Sequence, residues 1–252
     1  MAKPKRIELP SGEQILILYE DRSVLAIDKP PGWMLAPSSW HKQGGNLQRA
    51  LVASIKAGEF WARARNLKYL RFVHRLDAGA SGVLLLAKSP GALSAYSLLF
   101  QSRRMEKVYL AVVRGAPPQS QWTCRLRLAP DRASPGKMKL EPNRGQEAKT
   151  DFRLLRAGAG TSLVEARPLT GRMHQVRLHL AASGHPVVGD QLYGPAGLAA
   201  QARLALRAVG LAYMDPFTHG RVRIRAPAAE FAREYGFQAA WSESEAKVWK
   251  QC

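Results

Sequence analysis

Short apolar runs rich in strand-forming residues punctuate the chain. Ile15-Leu-Ile-Leu-Tyr19 and Ser23-Val-Leu-Ala-Ile27 predict two strands joined by the polar turn Glu20-Asp21-Arg22, and Lys29-Pro-Pro-Gly32 then stops regular structure. From Asn46 to Ala57 the period changes. Leu47, Leu51, Val52 and Ile55 recur at helical spacing, with Asn46 placed to cap the first turn. Arg71-Phe-Val73 and Gly82-Val-Leu-Leu-Leu-Ala87 are strand-like and flank a polar turn, and Ser89 to Arg104 reads as a helix with Leu93, Tyr96, Leu99 and Phe100 along one stripe.

The second half begins with a strand at Lys107-Val-Tyr-Leu-Ala-Val-Val113 that ends at Arg114-Gly115. Residues 116–146 are rich in Pro, Gly, Arg and Lys and are expected to be irregular or a hairpin, while Thr150–Leu155 and Ser162–Arg167 predict strands. Met173–Ser183 is a predicted short helix, with Met173, Val176 and Leu180 inward and Arg172, Gln175, Arg177 and His179 on a polar side. Leu198–Ala208 predicts another helix and Arg221-Val-Arg-Ile-Arg225 a last strand charged at alternate positions. There are no repeats. This mixture implies an α+β class: one domain with a mostly antiparallel mixed sheet flanked by helices. The expected organisation is a basic leader over 1–13, the main domain over 14–230, and a tail over 231–252 that is helical or packed on the domain.

Composition narrows the class. The 252 residues are 46% hydrophobic, an ordinary globular fraction, and runs such as Val83–Ala87 fall far short of a membrane span, which takes roughly 20 residues. Met1-Ala-Lys-Pro-Lys-Arg6 is basic but leads into no apolar core or cleavage site, so no secretion signal is read. Two cysteines, Cys124 and Cys252, supply neither a disulfide framework nor a structural zinc site, and a cytoplasmic location is expected. Charge is the first functional clue. Lys+Arg total 38 against 19 Asp+Glu, a formal +19, and Arg outnumbers Lys 25 to 13. Such a surplus suits a polyanionic partner, RNA or DNA, whose condensed counterions are released on binding.

Two segments carry candidate chemistry. Asp77 is the single carboxylate between Phe60 and Met105, set among Arg63, Arg65, Lys68, Arg71, Arg75, Lys88, Arg103 and Arg104, a surrounding that favours the anion. It begins a small-residue turn, Asp77-Ala-Gly-Ala-Ser-Gly82, where a backbone or flat ligand can approach closely. The alternative is an Asp that caps a turn or pairs with an Arg. The other segment, Thr170-Gly-Arg-Met-His-Gln-Val-Arg177, places Arg172, His174, Gln175 and Arg177 at a helix start after a Gly, a setting that welcomes anions. The alternative there is a solvated basic helix face. His174, His179 and His185 lack the spacing of a helical metal pair, so no metal is expected.

Taken together, Lys29-Pro-Pro-Gly32, His74-Arg-Leu-Asp77, Ser81-Gly-Val-Leu-Leu-Leu-Ala-Lys88, Lys107-Val-Tyr109, Thr170-Gly-Arg-Met-His-Gln-Val-Arg177, Gly184-His-Pro-Val-Val-Gly-Asp190 and Tyr193-Gly194 resemble the RluA-type RNA pseudouridine synthases, in family order from about Ile15 to Pro227. The resemblance implies a pseudouridine-synthase catalytic domain that isomerises a uridine within tRNA or rRNA after flipping the base out, with no cofactor. Asp77 would be the essential carboxylate, Arg177 its orienting partner, and Tyr109 the ring that stacks on the uracil and helps with the C5 proton. Arg75 would fill the space the base vacates, and Lys29, Arg172 and His174 would lie near the RNA backbone. The expected partner is RNA, with no membrane and no metal, and the protein acting as a monomer.

The chain departs from the family pattern at Ala80, where relatives usually carry Thr, and at Arg207 and Asp215, where they often carry His. The small N-terminal RNA-binding domain of many relatives is not expected here, so affinity is expected from the domain itself, the 1–6 leader and the basic 125–149 segment. A kinase-like reading of His74-Arg-Leu-Asp77 lacks a Gly-rich phosphate loop, and a methyltransferase reading lacks a Gly-rich cofactor turn. The serious rival is a non-catalytic RNA-binding module of the same fold.

Overall fold

The apolar runs pair as antiparallel strands in a computed structural model that describes residues 3–35, 45–195 and 203–237. Two compact units form, Met1–Lys107 with Gly210–Ala226, and Val108–Val209 with Pro227–Cys252.

In the first unit β1 (Arg6–Glu8), β2 (Gln14–Glu20), β3 (Val24–Lys29) and β5 (Ser81–Ala87) pair in that order, and the short β4 (Arg71–Phe72) also pairs β5, all antiparallel. The β2–β3 turn is fixed by Asp21, whose Oδ1 accepts the N–H groups of Ser23 and Val24 at 2.7 and 2.8 Å. Helix α1 (Leu47–Lys56) starts where Asn46 accepts the Arg49 N–H, and a four-residue turn, α2 (Phe60–Arg63), follows it. Helix α3 (Pro90–Gln101) starts where the Ser89 side chain accepts the Ala92 N–H, with Pro90 in the first turn. Tyr96 and Leu99 of α3 pack with Val83, Leu85 and Ala87 of β5 and with Leu211, Tyr213 and Ile224. The last three come from β11 (Leu206–Met214) and β12 (Arg221–Arg225), which pair antiparallel.

In the second unit β6 (Glu106–Arg114), β10 (Thr161–Pro168), β9 (Gln146–Ala157), β7 (Gln121–Pro130) and β8 (Met138–Leu140) pair antiparallel in that order. Helix α4 (Gln175–Ala182) packs on β7, β9 and β10, with Leu178 against Leu128 and Ala148, and α5 (Ala229–Glu234) begins the tail.

Within the basic 1–13 segment, Arg6–Glu8 is a strand whose Ile7 is fully buried. For 116–146 the hairpin alternative holds: residues 121–130 form a ten-residue strand that pairs antiparallel with Met138–Leu140, and its half-buried Trp122, Cys124 and Leu126 alternate with exposed Thr and Arg. The Arg content there hid a period-two pattern. The helix expected at Leu198–Ala208 is not seen where the chain is described, since 206–208 open β11; 196–202 lie outside the described residues, as does the tail beyond 237. Pairing of a buried apolar run overrides the helical tendency of its Leu and Ala. Among the described residues no helix is long and apolar enough to cross a membrane.

Candidate active site

The Asp77 loop is built by its neighbours in the first unit. His74 anchors its start: the Leu85 N–H donates to His74 Nε2 at 3.1 Å, and the ring stacks on Phe100 with centroids 4.5 Å apart. The Ala80 N–H donates to the Asp77 carbonyl at 3.1 Å and tightens the turn. Beneath it lies Lys29. Its Nζ donates to the carbonyls of Pro30 (3.0 Å), Ala78 (2.9 Å) and Ala80 (2.8 Å), while the Gly32 N–H donates to the Ala78 carbonyl at 2.8 Å. The Lys29-Pro-Pro-Gly32 segment and the Asp77 loop are thereby laced into one piece. Burial pushes the Lys29 ammonium down to about 8, against the opposing attraction of the Asp77 carboxylate.

Lys29 is thus a correction. It was expected near the RNA backbone, yet the residue is fully buried and all three ammonium hydrogens go to loop carbonyls. Its place is under the loop, as a post. Asp77 itself is half-buried and Arg75 exposed, while Ala80 is buried.

On α4, Gln175, Arg177 and His179, read as a polar side with a solvated basic face as the alternative, are 3, 6 and 0% exposed, which overturns the solvated alternative. Buried polar groups need partners, and each of these side chains has at least one, although His179 Nε2 has none among the described residues. Gln175 Oε1 accepts from the Thr170 hydroxyl (2.7 Å) and the Arg172 N–H (3.0 Å), and its Nε2 donates to the Lys149 carbonyl (3.0 Å) and Thr150 Oγ1 (2.9 Å). One amide thus holds the Thr170-Gly-Arg172 turn against β9. His179 Nδ1 lies 2.9 Å from Thr150 Oγ1.

Arg177 meets a carboxylate that no sequence argument singled out. Its Nε and Nη2 donate to Oδ2 and Oδ1 of Asp190, both at 2.7 Å, and Asp190 also accepts the N–H groups of Leu192 (2.9 Å) and Tyr193 (3.1 Å). Burial alone would raise the Asp190 carboxyl, but the Arg177 guanidinium and the two N–H donors outweigh it and hold it below the usual range. The Tyr193 ring lies 5.2 Å from the Arg177 guanidinium carbon, and its hydroxyl accepts the Met138 N–H (2.8 Å) and sits 2.9 Å from His174 Nδ1. The Asp190 turn depends on Gly189, with φ +75° and a position where a Cβ would lie 2.0 Å from the Arg203 carbonyl oxygen.

His174, at φ 54°, directly precedes α4, and half-buried Arg172 donates from Nε to the Glu147 carbonyl at 3.2 Å. Tyr109 is half-buried on β6, opposite Ala166 of β10. The contacts described gather Lys29 with the Asp77 loop in the first unit, and His174, Arg177, Asp190 and Tyr193 in the second.

Two histidines give this scaffold a pH signature. Burial drives His179 down to about 4, and drives His74 down to about 3. A backbone hydrogen bond with Arg75 opposes the latter and the Lys107 charge adds to it. Unfolded, both titrate near ~6.5, so below that pH the unfolded chain binds protons the folded chain refuses, and stability falls. The urea midpoint is expected to drop steadily from about pH 6.5 toward 4, and to drop less in His179→Gln. A midpoint constant across that range contradicts this account.

With the geometry in hand, known proteins offer a comparison. The family model described as RNA pseudouridylate synthase matches residues 23–182. The chain is 32% identical over 212 residues to the dual-specificity RNA pseudouridine synthase RluA of Vibrio cholerae, covering 83% of this chain and 81% of that one. It is also 32% identical over 227 residues to the ribosomal large subunit pseudouridine synthase C of Vibrio vulnificus, covering 86% and 67%. Among solved structures, human RNA pseudouridylate synthase domain containing 1 superposes with a TM-score of 0.71 at 25% identity, covering 94% and 95%.

Proposed function

The chain belongs to the RNA pseudouridylate synthase family, as an RluA-type isomerase, and from that premise we propose that it converts a uridine within rRNA or tRNA to pseudouridine in the cytoplasm, with Asp77 as the essential carboxylate. The N1–C1′ bond breaks, the base turns, and C5 bonds to C1′; C5 gives up its proton and N1 ends with one. Substrate and product are isomers, so the balance needs no co-reactant. Tyr109 stacks on the uracil and assists the C5 proton, and Arg177 completes the catalytic set. Arg75, exposed beside the loop, takes the space left by the flipped base, which costs a few kcal/mol to extrude. Arg172 and His174 contact the backbone.

The observation that supports this most directly is the Asp77 turn. A half-buried carboxylate is offered on small residues held from below by the Lys29 ammonium. Such a mount holds an anionic side chain at a fixed height while leaving room for a nucleoside. The test is to incubate the purified protein with rRNA and tRNA lacking pseudouridine and to map new pseudouridines chemically. One or a few defined sites are expected. No pseudouridine in either RNA, with binding retained, would instead favour a non-catalytic RNA-binding module.

A further inference from the structure

The ends of β3 and β5 away from the Asp77 loop open on a cleft of about 610 Å³, lined among others by Lys3, Glu20, Arg22, Arg65, Lys68 and Lys88. Five cations there face two carboxylates, Glu20 and Asp21, and both acids are already committed. Glu20 takes Arg65 Nε at 2.9 Å and Lys88 Nζ at 2.6 Å, with Lys3 Nζ at 3.6 Å. Asp21 takes the Ser23 and Val24 N–H groups and the Tyr19 hydroxyl. Arg65, its side chain 3% exposed, also donates to the Trp61 carbonyl at 2.9 Å and the Pro4 carbonyl at 2.6 Å. The wall is therefore rigid and internally balanced. The surplus positive charge sits on the rim, on exposed Lys3, Arg22 and Lys68.

The position matters. β3 begins just after the Glu20–Arg22 turn and ends at Lys29 under the Asp77 loop; β5 leaves that loop at Ser81 and ends just before Lys88. Six residues of strand separate cleft from loop, roughly 20 Å at ~3.3 Å per residue. That distance is about six stacked nucleotides at ~3.4 Å each.

We propose that this cleft is a second RNA-contact site, gripping backbone phosphates of the substrate some six nucleotides from the target uridine. The proposal rests on the RNA reading above. Flexible ammonium and guanidinium ends on a fixed wall suit sequence-independent phosphate contacts, which set register without reading bases. The site therefore rewards long substrates. A fragment too short to span the distance gains nothing from it.

The experiment is fluorescence anisotropy of the full chain and of an Arg22→Ala/Lys68→Ala double variant, whose side chains are exposed and whose folding is checked by melting temperature. The probes are a labelled RNA hairpin of about 24 nucleotides and a single strand of about five, across a salt series. For the hairpin, the variant's Kd is expected to rise about tenfold and the slope of log K against log salt to shrink by about 2; the short strand should change less than about twofold. An unchanged hairpin affinity and slope, or equal losses on both probes, overturns the cleft. Pseudouridine mapping on the wild type is run in parallel. Wild-type pseudouridine formation with unchanged hairpin binding by the variant removes the cleft alone, whereas a wild type that modifies no RNA removes the functional reading.

Discussion

Asp77→Ala is expected to lower pseudouridine formation by at least about 10⁴-fold while leaving RNA affinity within about threefold. The proposed role needs a carboxylate oxygen at the reacting nucleoside, and a methyl group supplies none. The loop, by contrast, is held through backbone atoms: the Asp77 carbonyl accepts from Ala80, and Lys29 donates to the carbonyls of Pro30, Ala78 and Ala80. Removing the Asp77 side chain leaves all of these bonds in place, so loss of activity is not loss of the turn. Release of tritium from RNA labelled at uracil C5 reads the reaction, and filter binding reads affinity. Asp77→Asn, of equal size, should be nearly as inactive. Turnover within about tenfold of wild type in either variant removes Asp77 from the chemistry.

The pattern of the chain made some of this legible and concealed the rest for physical reasons. The β2–β3 hairpin, the Asn46 cap and the Ser89–Pro90 start of α3 depend on neighbours within a few residues, and local spacing sufficed to read them. Lys29 did not yield to the same logic. A lysine is ordinarily solvated, and the carbonyls that let this one be buried come in part from residues 49 and 51 positions away. Helix α4 misled in the same way. Gln175, Arg177 and His179 look like a wet face until β9 supplies Thr150 and the Lys149 carbonyl, and the 190 turn supplies Asp190. The β7–β8 pair was legible only as irregular or hairpin structure, because alternate arginines on an exposed strand face resemble a solvated loop. Motif order was the strongest signal for function, and the resemblance assigned Arg177 to Asp77, but it gave no role to the second carboxylate that Arg177 grips, Asp190.

That carboxylate carries the other large effect. Arg177→Lys is expected to reduce pseudouridine formation by about 10²-fold or more, because a single ammonium cannot reproduce two parallel N–H donors held 2.7 Å from Asp190. Asp190→Asn should act through stability as well. The residue is 1% exposed, its partner's side chain 8%, and breaking a buried pair from one side costs about 3–5 kcal/mol. The pH dependence separates this pair from the histidines. Asp190 has its folded value below its unfolded one, so its contribution is complete above the unfolded value of ~3.9 and is lost as pH falls through the folded value. The gap in urea midpoint between wild type and Asp190→Asn should therefore stay constant from pH 7 to about 5 and close only in stronger acid, whereas the histidine-driven slope is already under way by about pH 6. A gap that closes near pH 6 would show that the carboxylate is not held ionised by Arg177. Equal stability of the two proteins at pH 7 would mean that the buried pair is not what anchors the Arg177 guanidinium.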